Sequence, residues 1–82
     1  MSLSFSEFKK PCTAAGEHST NYFFQTTDQS VGVVIEVTNA TQAAQANVYI
    51  GGHYCGYWKG TFITEEATLS AIIDLINTNQ IK

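Results

Sequence analysis

Cys12, His18, His53 and Cys55 together offer two sulfurs and two ring nitrogens that could hold a metal. That set suits tetrahedral zinc chemically. The spacing argues against it, because neither a C-x-x-C nor an H-x-x-x-H element is present to close a compact knuckle. The same residues offer a cysteine nucleophile with a histidine base. That chemistry needs an imidazole beside the thiolate and a third group to orient it. Cys55 is expected on a helix-covered sheet face, where a thiol is inert, and Cys12 and His18 fall in a stretch with no evident scaffold. We therefore expect no metal, no cofactor and no catalytic pair, and read both cysteines as reduced thiols.

The carboxylates add one candidate. Glu65 and Glu66 are adjacent and open a helix, so they serve its N-terminus. Glu36 is the one acid placed in the middle of a strand. Apolar neighbours there would push its carboxyl up, as in a general acid, whereas a partner such as Lys59 would make it an ordinary surface or interface residue. We favour the second reading. Gly51-Gly52 has no following helix that would make it a phosphate loop, and reads as a turn.

The elements that position these residues are mostly β. Asn47 to Ile50 and His53 to Trp58 are rich in aromatic and β-branched residues and flank Gly51-Gly52, the signature of a two-residue hairpin. That turn pairs Ile50 with His53, Tyr49 with Tyr54, Val48 with Cys55 and Gln45 with Trp58. Tyr49, Tyr54 and Trp58 then share one face. Upstream, Tyr22–Thr27 and Val31–Thr38 read as two further strands. Val31, Val33, Ile35 and Val37 form a core stripe at period two. With Thr27 paired to Val31, Phe23 joins that stripe while Tyr22 and Phe24 point away, and a bulge would reverse the assignment. Thr64 reads as a helix N-cap, and Leu69, Ile72, Ile73 and Ile76 lie at i, i+3, i+4, i+7.

The expected fold is α+β: a four-stranded antiparallel meander over residues 21–82 with a C-terminal helix packed on one face. Residues 1–20 form an N-terminal segment, with a short helix capped by Ser4, carrying Phe5 and Phe8 and ended by Pro11, then a loop. One domain is expected from 82 residues, with no internal repeat.

Composition bounds the partners. Charged residues are only 13% of the chain, whereas 26 residues are Thr, Ser, Asn or Gln. Net charge of -3 gives weak mutual repulsion. The four cations are all lysines, and a chain without arginine is ill-suited to phosphate recognition, so nucleic acid is not an expected partner. No apolar run approaches the roughly 20 residues of a membrane span, and no signal-peptide pattern opens the chain. A soluble, cytoplasmic protein without a membrane partner is expected. The sequon at Asn39 reads as a chance match in a Thr-rich loop.

The sheet face opposite the helix is expected to carry Tyr22, Phe24, Val34, Glu36, Tyr49, Tyr54 and Trp58, with Asn47, Gln25 and Glu36 as the polar groups of a site there. Large aromatics bury about 150–250 Å² each when enclosed, so that face is expected to be covered. Three covers are open: the N-terminal segment, a second copy in a homodimer, or a small-molecule or peptide ligand. Self-association through this face is the leading expectation for function, with ligand binding as the alternative.

Overall fold

The computed structural model describes residues 2–81. A 3₁₀ turn at Phe5–Glu7 precedes strands β1 (Cys12–Ala15), β2 (Ser19–Gln25), β3 (Val31–Thr38), β4 (Ala43–Ile50) and β5 (His53–Thr61), and helix α1 (Glu65–Asn77) closes the chain. The five strands form one antiparallel sheet in sequential order, a plain meander. The expected α+β architecture with one C-terminal helix is present, but with five strands rather than four.

The extra strand is β1, in the stretch expected to be a loop. All four of its residues are exposed, so no apolar alternation marks it. Backbone pairing from Cys12↔Phe23 to Ala15↔Thr20 holds it, and the edge continues upstream through a Phe8↔Thr26 bridge. Pro11 interrupts that edge, because proline has no N–H to donate.

The core lies between the sheet and α1. Val33, Ile35 and Val48 from the sheet and Leu69 and Ile72 from the helix are fully buried, with Ile73 and Ile76 beside them. The valine stripe and the helix stripe thus meet as expected. Thr64 caps α1, its Oγ1 accepting from the Ala67 amide at 3.0 Å. Glu65 and Glu66 occupy the first turn, where the helix dipole favours anions.

The N-terminal segment packs on the helix side. The Asn77 side chain accepts from the Leu3 amide at 2.8 Å and donates to the Leu3 carbonyl at 2.9 Å. Leu3, Phe5 and Phe8 lie against the main core. Residues 2–20 therefore add to the helix-side core and leave the other sheet face uncovered among the described residues. At the expected Ser4 cap it is the Glu7 side chain that caps the backbone, the Ser4 amide donating to Glu7 Oε2 at 2.8 Å, and the helix that opens there is only the three-residue 3₁₀ turn.

Two one-residue irregularities decide which face each aromatic takes. Between β2 and β3 the closing pair is Thr26 with Val31, the Thr26 amide donating to the Val31 carbonyl at 3.0 Å, so the loop has one residue more than the Thr27 pairing would give. Asp28 holds that loop: its Oδ1 accepts from Thr26 Oγ1 at 2.8 Å, the Ser30 amide at 3.0 Å and Ser30 Oγ at 2.7 Å. Gln29 takes the left-handed conformation at φ 64°. The second irregularity is a bulge in β5: Tyr49 pairs with Tyr54 but Val48 with Gly56, leaving Cys55 as the extra residue.

The Asp28 turn makes a pH prediction. Hydrogen bonds from the Ser30 hydroxyl and amide, then the Thr26 hydroxyl, hold the Asp28 carboxyl at about 2, below its ordinary 3.8. A folded value below the unfolded one gives stability that is complete above 3.8 and fades as pH falls toward 2. An NMR titration of the Asp28 carboxyl should show that low midpoint, and Ser30→Ala should raise it. An unchanged midpoint in the variant would remove Ser30 as the cause.

Candidate functional site: the open sheet face

Each register shift reverses the faces of the residues beyond it, because side chains alternate with period two. Tyr22, Phe24 and Trp58 therefore lie on the helix side, not on the open face. Phe24 is only 1% exposed, opposite Val33. Tyr22 stacks on Phe62 with ring centroids 5.0 Å apart. Trp58 pairs with Ala46 rather than Gln45, packs against the core, and lays its indole across Gly60. These three are core residues. Glu36, Asn47, Tyr49 and Tyr54 do lie on the open face, joined by Phe23 and Tyr57.

The pairings arrange this face in rows running across the strands. One row is Asn21, Glu36, Gln45 and Lys59, on β2 to β5 in order. The next is Phe23, Val34, Asn47 and Tyr57. The third is Gln25, Gly32, Tyr49 and Tyr54. One end of the face is thus polar and charged, and the other is aromatic. Phe23, Tyr49, Tyr54 and Tyr57 are 39%, 38%, 56% and 62% exposed. Phe23 reaches over Gly32, where an added Cβ would meet its ring at 3.4 Å. Tyr49 and Tyr54 meet edge to face with centroids 5.7 Å apart.

Two hollows open on the face. One of about 360 Å³ lies in the polar row, lined by Glu36, Thr38, Ala43, Gln45, Lys59 and Gly60. The other, about 210 Å³, sits beside Gly32 between Phe23, Val34 and Tyr49. Glu36 is exposed, and its Oε1 accepts from Gln45 Nε2 at 3.1 Å, so it has an amide partner on the surface rather than an apolar enclosure. Lys59 does not sit beside Glu36, because β4 runs between them. Its Nζ lies 5.8 Å from the Tyr57 ring centroid.

The metal and nucleophile sets do not assemble. His18 precedes β2 at one end of the sheet and His53 opens β5 at the other. Strands of this length span roughly 23–30 Å. Cys12 and Cys55 are free and lie on opposite edge strands, four strand spacings or roughly 19 Å apart, beyond disulfide reach. Among the described residues no group of three or more His, Cys, Asp or Glu could hold a metal ion. Asn39 serves as a clamp between loops: its Nδ2 donates to the Gly16 carbonyl at 2.8 Å and the Glu17 carbonyl at 3.2 Å. No described helix is long and apolar enough to cross a membrane.

Phe23 and Tyr57 are the open-face aromatics that sequence reasoning missed. Two signals mark them in retrospect. Asp28 followed by Ser30 at i+2 is an Asx-turn pattern that lengthens the first loop, and a glycine inside a strand, Gly56, signals a bulge. Comparison of the chain with known protein families, with curated proteins and with solved structures finds no match.

Proposed function

We propose that this chain is a small association domain, without catalytic chemistry of its own, that pairs with a second copy of itself through the open sheet face. The observation that carries this reading is the set of four exposed aromatics on one face that no part of the described chain covers. Tyrosine and phenylalanine are favoured at the buried centres of interfaces. The net charge of -3 opposes self-association only weakly. Strand spacing and rise give the face a plan area of roughly 450 Å² per protomer. Two such faces, with side-chain relief, reach the roughly 1,000 Å² at which specific interfaces begin.

The test is mass by light scattering coupled to size exclusion over a tenfold concentration range. A dimer mass is expected for the wild type, and Tyr57→Ser should shift it toward monomer while circular dichroism stays unchanged. A dimer indifferent to Tyr57→Ser would move the interface elsewhere.

A second reading uses the same face. The 360 Å³ hollow offers a carboxylate, an amide and an ammonium along one row, groups that suit a small polar molecule. Gly60 lines that hollow and the Trp58 indole lies across Gly60 on the helix side, so Trp58 fluorescence would report occupancy. A monomeric protein with a saturable fluorescence response in a metabolite screen would favour this reading.

A further inference from the structure

We infer that the two copies meet about a two-fold axis running along β4, with β3 of each protomer over β5 of the other. This rests on the open face being an association surface, and it adds the geometry of the pairing.

The argument comes from what such an axis requires. A residue on a two-fold axis meets its own copy, so it must be complementary to itself. The open-face residues of β4 are Gln45, Asn47 and Tyr49, two amides and a phenol. Each is neutral and carries both a donor and an acceptor, so each can hydrogen-bond its own copy. Residues off the axis must instead complement those equally far on its other side. In the polar row these are Glu36 and Lys59, one strand to either side of Gln45. The axis therefore sets Glu36 against the partner's Lys59 twice, once at each flank. In the middle row it sets Val34 against the partner's Tyr57, an aliphatic side chain against a ring. In the third row it sets Gly32 against the partner's Tyr54. Beside Gly32 lies the 210 Å³ hollow between Phe23, Val34 and Tyr49, so a ring meets a gap.

Other axes do worse on the same rows. An axis along β3 places Glu36 on its own copy, and one along β5 places Lys59 on its own copy. Both enclose like charges. An axis between β3 and β4 sets Glu36 against the partner's Gln45 and Lys59 against the partner's Asn21, leaving both charges without an opposite. An axis perpendicular to the strands lays the charged row over the aromatic row, removing charges from water without partners. Of these axes, only the one along β4 leaves no charge in the overlap without an opposite, and β2, with Phe23, lies outside that overlap.

Charge swaps test it. Glu36→Lys and Lys59→Glu each convert both flanking contacts into like-charge pairs, and each alone should weaken the dimer by about tenfold or more at low salt. An equimolar mixture of the two single variants should form the mixed dimer, because every facing pair is again unlike. The double variant should recover dimerisation for the same reason. Sedimentation equilibrium of the wild type, the singles, their mixture and the double variant reads all of this, with circular dichroism confirming that each is folded.

Weakened singles with recovery in both the mixture and the double variant support the axis. A wild-type dimer whose singles are unaffected, or whose mixture and double variant do not recover, overturns the axis and leaves the association reading standing. A wild type that is monomeric throughout overturns the association reading, and the axis with it.

Discussion

Phe24→Ala is expected to remove about 3–5 kcal/mol of folding stability, whereas Phe23→Ala should leave the isolated monomer within about 1 kcal/mol of wild type. The two phenylalanines are neighbours in sequence and differ only in the face they take. Phe24 is 1% exposed in the helix-side core, and its loss opens a cavity that the surrounding strands cannot fill by relaxing. Phe23 is 39% exposed and gives up mainly its cover over Gly32. Domains of this size are stable by only about 4–12 kcal/mol, so the first change takes a large share of the total. Urea denaturation at a concentration low enough to keep the protein monomeric separates the two. If Phe23→Ala proved the more destabilising, the four-residue loop between Thr26 and Val31 would be wrong, and with it the membership of both faces.

Gly60→Val should lower stability by about 1–3 kcal/mol, an overpacking effect. A Cβ on Gly60 would overlap the Trp58 ring at Cζ2 and stand 2.8 Å from Cη2, closer than atoms can approach. The indole would have to leave its seat against the core, so the melting temperature should fall by about 4–8 °C per kcal/mol. As the chain's one tryptophan, Trp58 should also shift its emission to the red as its ring meets water. Valine is the better strand former, which works against the clash by several tenths of a kcal/mol. A rise in melting temperature would mean that the ring is free to move, and that Trp58 contributes little to the core. The same geometry makes substitution of Trp58 unsuitable as a test of the open face, since replacing it would damage the fold before it touched any interface.

The association reading therefore rests on Phe23, Tyr49, Tyr54 and Tyr57 as the exposed rings, and the proposed β4 axis uses the last three with Glu36, Asn47 and Lys59 as the polar groups that fix register. Four of these, Tyr49, Tyr54, Glu36 and Asn47, were legible in the sequence. Tyr49 and Tyr54 follow from the Gly51-Gly52 turn, where both residues have positive φ and the pairing counts outward from Ile50 and His53. Glu36 and Asn47 follow from strict alternation along β3 and β4, which contain no irregularity before the turn.

Local chemistry was enough for several elements. The valine stripe of β3, the Thr64 cap with its apolar helix stripe and the Gly-Gly hairpin each depend on residues within a few positions of one another, and each is written in their order. The low charge and the lack of arginine are properties of composition alone. What only the tertiary structure decided was parity and placement. With a side-chain period of two, one extra residue in the Asp28 loop moved Tyr22 and Phe24 into the core and Phe23 out of it, and one extra residue at Cys55 did the same for Trp58 and Tyr57. Strand β1 has no apolar face to announce it, and exists because β2 presents unpaired backbone groups that it satisfies. Glu36, Gln45 and Lys59 stand in one row only because the β3–β4 connection and the Cys55 bulge set the registers of three consecutive strands, which the core beneath them holds.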